Sequence, residues 1–390
     1  MTYSTSDCID VSHTEATMKE NMVPPSVSEE EPATSTTMMN ADAKVSTTRA
    51  SPPTYRMVAL DLDGTLLQSD HQIADDQVNY LRELHSKGFT ICIATGRAAP
   101  SVYEHVQKLN LPVPIPVVCS NGACGFLCHS SSSEIKEEED ESSTENRTPD
   151  EQQQQQQQPP LKNRYHLEKE DLFYDPVPMD VVQRSIQICK EYGYAVQYYH
   201  KDTIYANQKN DFHYTLTNMY TELTGSAINH VDDEFESLIK DDKLPSKLLI
   251  LFDDTQCTRA FDLFSSEFSS GNNGSGTTAS KACIVGGHFN WFLEVLHPEV
   301  TKGHGLSKMC KALNIPLEEC IAIGDGSNDY EFLEMAGLGI AMNNAKDKLK
   351  EIANEVMEWN NDQHGVMKTL KKLDRQGSLS FHSTDSDRSK

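Results

Sequence analysis

Short apolar runs alternate with amphipathic stretches along most of the chain. Met57-Val58-Ala59-Leu60 is apolar without alternation, as expected of a strand covered on both faces. Gln77 to Lys87 then sets Val78, Leu81 and Leu84 at helical spacing, and Gly88 stops the helix. Phe89 to Ala94, Pro116 to Cys119 and Ile321 to Ile323 read as further strands bounded by polar or glycine residues. This alternation predicts parallel strands connected by helices. Between them lie helices over 181–192 and 257–268 and strands over 194–199, 247–252 and 290–296. The stretch from 123 to 296 is long enough to be a second α+β domain inserted into the first.

Three segments carry no such periodicity. Residues 1–55 are rich in Ser, Thr, Glu, Met and Pro and predict a disordered tail. Residues 130–160 join a serine run, the acidic stretch Glu137-Glu138-Glu139-Asp140-Glu141, the glutamines 152–158 and Pro159-Pro160. They predict a solvated loop. The flanks, Gly125 to His129 and Arg164 to Leu167, read as short strands, so the insert is expected at a hairpin tip. Loop-closure entropy grows only with the logarithm of length, so a fold tolerates such an insert. Residues 376–390 are polar again and predict a second tail. The expected domains are therefore a core over 56–122 and 297–375 and an inserted domain over 123–296.

Composition narrows the function. The hydrophobic share is 37% and mean hydropathy is −0.55, consistent with part of the length remaining unfolded. Lys plus Arg number 34 against 59 Asp plus Glu, a formal charge of −25. Nucleic-acid affinity rests on cations neutralising phosphates, so no nucleic-acid partner is expected. The ten cysteines form no Cys-x-x-Cys pair, and Cys119, Cys124, Cys128 and His129 do not match a zinc spacing. Reduced, buried thiols are expected. No stretch approaches the roughly 18 apolar residues of a membrane span, and the early acids Asp7, Asp10, Glu15 and Glu20 disfavour a transit peptide. A soluble cytoplasmic protein with no membrane association is expected.

Four strands are each followed by small or polar residues: Asp61-Leu62-Asp63-Gly64-Thr65, Thr95-Gly96-Arg97, Ser120-Asn121-Gly122 and Gly324-Asp325-Gly326-Ser327-Asn328-Asp329. Ligands of open parallel sheets bind at the carboxyl ends of the strands, so one cleft can collect all four. Asp61 and Asp63, two apart on extended chain, share a face. Paired carboxylates repel unless a cation joins them, and Mg²⁺ is the hard cation suited to one or two carboxylates and substrate phosphate oxygens. Asp325 and Asp329 add charge from the opposite side. An Asp-Gly pair alone is equally ordinary turn chemistry. The ordered set, with Lys302-Gly303, is not.

Other candidates divide differently. The glycine-rich run 271–276 lacks the lysine of a nucleotide-binding loop and reads as a flexible loop. Tyr198, Tyr199 and His200 read as strand packing before substrate contacts, as do Tyr192 and Tyr194. Arg97 has two equal readings, a phosphate contact or a structural cap beside the cleft.

With these motifs the sequence resembles the haloacid dehalogenase superfamily, in its Cof-type branch of capped sugar-phosphate phosphatases. The resemblance spans about 56–129 and 164–370. It implies an α/β fold, a Rossmann-like parallel-sheet core with an inserted α+β cap of the C2 type. It assigns Asp61 as nucleophile and Asp63 as general acid/base. Leu62, Thr95, Gly96, Lys302 and Asn328 become phosphate- or substrate-binding positions. Mg²⁺ is assigned to Asp61, Asp63 through its backbone carbonyl, and Asp325, with Asp329 anchoring Lys302 or a metal-bound water. Similar stretches are Ser120 to Ala123, Leu338 to Met342 with Asn344-Ala345, and Asn361-Asp362 with Gly365-Val366. The acidic, glutamine-rich insert, the long first tail and Met357-Glu358-Trp359 depart from the family pattern. The implied reaction is Mg²⁺-dependent hydrolysis of a small phosphorylated metabolite, such as a sugar phosphate, through an aspartyl-phosphate. Two alternatives stay open: a phosphohexomutase-like phosphoryl transferase, and a non-catalytic regulator or scaffold whose acidic and glutamine-rich insert binds a protein partner of unknown identity.

Overall fold

Met57 to Leu60 occupies the middle of an eight-stranded sheet, where both faces are covered and all four side chains are buried. The computed structural model describes residues 54–130, 167–224, 226–269, 281–286 and 290–381. All of the expected loop over 130–160 except Ser130, which ends a strand, the glycine-rich run 271–276 and nearly all of the first tail lie outside them.

In chain order the strands are β1 (Met57–Leu60), β2 (Thr90–Ala94), β3 (Ile115–Cys119), β4 (Cys124–Ser130), β5 (Leu167–Tyr174), β6 (Ala195–His200), β7 (Thr203–Asn207), β8 (Ile228–His230), β9 (Lys247–Leu251), β10 (Cys283–Gly286), β11 (Phe292–Leu296), β12 (Cys320–Gly324), β13 (Leu338–Ala341) and β14 (Glu355–Val356). The first sheet has the order β14-β13-β12-β1-β2-β3-β4-β5, and the second β10-β11-β9-β6-β7-β8. Strands β14 to β3 of the first sheet run parallel, and β4 and β5 close its far edge antiparallel. The fold is the expected α/β core with an inserted α+β cap.

The helix Asp75–Ser86 turns Val78, Leu81 and Leu84 onto the sheet and ends before Gly88, whose φ is 89°. The second sheet packs differently on its two faces. Leu248, Ile250, Leu293 and Val295 join one apolar cluster with Val181, Ile188 and Phe264 of the helices Met179–Tyr192 and Cys257–Ser269. Leu249, Leu251 and Phe292 point the other way, into a cluster that contains Ala98 of the core and Leu216 of the helix Asp211–Thr224.

Two expected boundaries move. The inserted domain was placed from 123, but β4 pairs with β3 from Ile115↔Cys128 to Cys119↔Cys124, and β5 pairs with β4. The hairpin that carries the insert thus extends the core sheet, because the edge of β3 offers unpaired backbone groups that β4 satisfies. The last tail was placed from 376, yet Ser380 N–H donates to Tyr55 O at 2.6 Å, Leu379 is buried, and Phe381 meets Phe89 edge-on at 6.2 Å. Two apolar side chains in a polar stretch dock residues 379–381; 382–390 lie outside the described residues.

Candidate active site

Asp61 leaves β1 in extended backbone (φ −66°, ψ 159°), and Asp63 is extended too (φ −72°, ψ 122°). The chain then turns at Gly64, with φ 74°. A Cβ there would lie 2.3 Å from Asp325 Oδ2, so only glycine lets the loop after β1 meet the loop after β12. Thr65 Oγ1 donates to Asp325 Oδ1 at 2.9 Å, and Asn344 Nδ2 donates to the Gly64 carbonyl at 2.8 Å.

Lys302 is the first residue of the helix Lys302–Leu313, whose capping residue Thr301 accepts the His304 N–H. Its ammonium donates to Asp61 Oδ1 at 2.6 Å and to Asp329 Oδ1 at 2.7 Å. Asp329 Oδ2 accepts the backbone N–H groups of Asp325 and Gly326 at 3.0 and 2.8 Å. Both Asp329 oxygens are therefore occupied by the protein. Asp61, Asp325 and Asp329 offer oxygens that all lie within 4.8 Å of one another.

Three carboxylates around one ammonium leave an excess of negative charge in a buried place. Burial, with the neighbouring Asp329 and Asp325, holds the Asp61 carboxyl well above the usual range against the pull of Lys302. Burial and Asp329 push Asp325 up to about 6. Burial works against the charge of Lys302, but Asp329 and Asp61 outweigh it and raise its pKa. An all-oxygen, net-negative donor set of this kind fits a hard divalent cation.

Asp63 is not one of these three clustered carboxylates and has a different cation for a partner. Arg97 grips it from the loop after β2, and His71 Nδ1 lies 3.6 Å from its Oδ1. Arg97 therefore contacts the expected acid/base. Thr95 is buried and its Oγ1 accepts the Arg97 N–H at 3.2 Å. Leu62 turns its side chain into the core.

The loop after β3 carries left-handed backbone at three consecutive residues, Ser120 (φ 51°), Asn121 (φ 55°) and Gly122 (φ 105°). Such conformations at non-glycine residues cost on the order of 1–3 kcal/mol each and gather at functional loops. A Cβ on Gly122 would fall 2.1 Å from the Thr301 carbonyl, so this loop lies directly against the turn that presents Lys302. Asn328 Nδ2 donates to Asn121 Oδ1 at 2.9 Å. All four post-strand segments and Lys302 thus converge at the carboxyl ends of β1, β2, β3 and β12.

Two residues of this neighbourhood escaped the sequence reading, Lys247 and Glu294. Asn121 Nδ2 donates to Glu294 Oε2 at 2.7 Å, and Lys247 Nζ donates to Glu294 Oε1 and, at 3.2 Å, to the Gly96 carbonyl. The signal was present: each is the lone charge in an otherwise apolar strand, Lys-Leu-Leu-Ile-Leu and Phe-Leu-Glu-Val-Leu.

The family model of haloacid dehalogenase-like hydrolases matches residues 58–139 and 164–370. The chain belongs to this family. Phosphatase YwpJ of Bacillus subtilis is 28% identical over 324 residues, covering 82% of this chain and 99% of that protein. The 5-amino-6-(5-phospho-D-ribitylamino)uracil phosphatase YitU of the same organism is 26% identical over 321 residues, covering 81% and 96%. A haloacid dehalogenase-like hydrolase from Bacteroides thetaiotaomicron shares the fold at a TM-score of 0.61 and 20% identity, covering 82% of this chain and 99% of that one. The chain is a phosphatase-type enzyme of this family. Among the described residues no helix is long and apolar enough to cross a membrane.

Proposed function

We propose that the chain is a Mg²⁺-dependent phosphomonoesterase that hydrolyses a small phosphorylated metabolite, a sugar phosphate or a related phosphorylated polyol, through an aspartyl-phosphate on Asp61. The observation that carries this reading is the Asp61 carboxylate, buried against Lys302 and grouped within 4.8 Å with Asp325 and Asp329. The polyol class is supported by YitU, whose named substrate is a ribityl phosphate.

Asp61 attacks phosphorus in line as the bond to the leaving oxygen breaks, and Asp63, entering this step in its protonated form, gives that oxygen its proton. Asp63, now a carboxylate, takes a proton from the water that cleaves the aspartyl-phosphate and restores Asp61. Lys302 is a fixed cation beside the attacked group, and Thr95, Gly96 and Asn328, with the backbone of Leu62, orient the phosphoryl oxygens. Mg²⁺, held by Asp61, Asp325 and the backbone carbonyl of Asp63, would neutralise phosphoryl charge. Asp329 anchors Lys302 and the loop after β12. The cap, which packs against Ala98 of the core, shapes the space for the leaving group.

The experiment is purified protein against a panel of phosphomonoesters, with Mg²⁺ and with chelator, scored by kcat/KM and by product. Release of inorganic phosphate that chelator abolishes supports the reading. An isomerised phosphosugar without phosphate release would establish the mutase instead, and full activity in metal-free buffer would remove the metal assignment.

A further inference from the structure

Glu294 and Lys247 sit on β11 and β9 of the cap sheet, on the face that also carries Leu249, Leu251 and Phe292 and looks toward the core. Lys247 is 1% exposed and Glu294 6%. A buried ion pair carries a desolvation cost that two packed apolar side chains would avoid, so stability alone is a poor account of it. What distinguishes this pair is where its remaining hydrogen bonds go. Each residue reaches out of the cap to a loop of the core, Glu294 to Asn121 and Lys247 to Gly96.

The bonds form one continuous chain. Asn328 Nδ2 donates to Asn121 Oδ1 at 2.9 Å, Asn121 Nδ2 donates to Glu294 Oε2 at 2.7 Å, and Lys247 donates to Glu294 Oε1 and to the Gly96 carbonyl. A carboxylate only accepts, so Glu294 dictates that the NH₂ end of Asn121 faces it. The carbonyl end of Asn121 is thereby turned to Asn328, which must answer with its own NH₂. Lys247 only donates, and it restrains the carbonyl of Gly96 in the same way. The Asn121 side chain, on a residue in left-handed backbone, bonds to the cap at one end and to the core at the other.

We propose that Glu294 is a positioning residue: from the cap, through Asn121 and with Lys247, it sets the orientation of Asn328 and of the Gly96 backbone in the core's phosphoryl-binding loops. This inference rests on the reading of Asn328 and Gly96 as phosphoryl-binding positions. It makes the cap more than a wall around the leaving group, because phosphoryl binding itself depends on a cap residue.

The test uses the full chain with Glu294→Gln, Asn121→Ala, the double variant and Lys247→Met. The readouts are the inhibition constant of inorganic phosphate and kcat/KM on an aryl phosphate and on a sugar phosphate. Small misplacements of binding groups cost up to about a hundredfold, so each single variant should lose roughly 10- to 100-fold in kcat/KM. The loss should be equal for both substrates, and the phosphate inhibition constant should rise by about tenfold or more. Residues acting in one chain are not additive, so the double variant should fall no more than about threefold below the worse single. Losses that multiply, a loss confined to the sugar phosphate, or an unmoved phosphate inhibition constant would overturn the proposal. Should Glu294→Gln not fold, Asn121→Ala and Lys247→Met decide by the same constant. A wild-type chain that releases phosphate from no ester would reject the phosphatase reading and this inference together; an active wild type with phosphate inhibition unmoved in the variants rejects the positioning role alone.

Discussion

Arg97 binds both carboxylate oxygens of Asp63, with Nε to Oδ2 at 2.7 Å and the terminal nitrogen to Oδ1 at 2.5 Å. The pair is close enough to the carboxylate cluster that Asp63 raises the pKa of Asp325 and Asp61 that of Arg97, and it fixes the direction of the group proposed to move protons. Bidentate guanidinium–carboxylate pairs are geometrically demanding, so a lysine would not reproduce this one.

Arg97→Met should therefore impair proton transfer more than phosphoryl binding. An aryl phosphate leaves without protonation, whereas an alkyl phosphate needs the acid. We expect kcat/KM on the alkyl ester to fall about tenfold or more below the loss on the aryl ester, within the usual range for a general acid. Equal losses on both would mean that Arg97 serves the phosphoryl group and not Asp63.

Lys302→Met leaves Asp61 and Asp329 buried without their shared cation. Breaking a buried pair by removing one partner costs roughly 3–5 kcal/mol. Burial raises the pKa of the Asp61 carboxyl against the pull of Lys302, so without Lys302 the loss should shrink as pH falls and the acid neutralises. Urea unfolding at pH 5 and pH 8 measures this. A variant as stable as wild type at pH 8 would contradict the geometry.

How much of this was legible in the sequence depended on whether a signal was local. Asp61, Asp325 and Lys302 stand at strand or helix ends with glycine partners, and their positions follow from the chain around them. The fold class followed from the alternation of apolar strands such as β1 and β12 with helices. The membership of β4 and β5 in the core sheet was not legible, because a hairpin's own pattern does not say whose edge it completes. The docking of Leu379 and Phe381 likewise depends on partners far away in the sequence, Tyr55 and Phe89, that only the folded sheet brings to them. The roles of Lys247 and Glu294 were missed for a subtler reason. An apolar run marks each strand whether or not it holds a charge, and the partners of that charge, Asn121 and Gly96, lie in a different domain far away in the sequence.

Metal-free protein should lose stability as pH rises through about 6. The Asp325 carboxyl is raised to about 6 and that of Asp61 is raised as well, so between the ordinary carboxylate value and 6 the folded state holds protons that the unfolded chain has released. Each step up in pH then favours the unfolded state. Bound Mg²⁺ needs these carboxylates ionised and should reverse the trend. Thermal midpoints at pH 5, 6 and 7, in EDTA and in Mg²⁺, provide the comparison, and Asp325→Asn should flatten the EDTA series. A midpoint that rises through this window in EDTA, and falls on adding Mg²⁺, would contradict the assignment of the cluster.

The central claim is that Asp61 carries the phosphoryl group, and trapping that group tests it most directly. Asp63→Asn keeps the nucleophile but removes the base that activates water, a contribution of about 10²–10⁴-fold. With an aryl phosphate and Mg²⁺, acid-quenched Asp63→Asn protein should show the mass of one added phosphoryl group, mapping to the peptide that contains Asp61. Asp61→Asn should show none. A label that persists in Asp61→Asn, or that maps to a histidine or serine, would contradict the account.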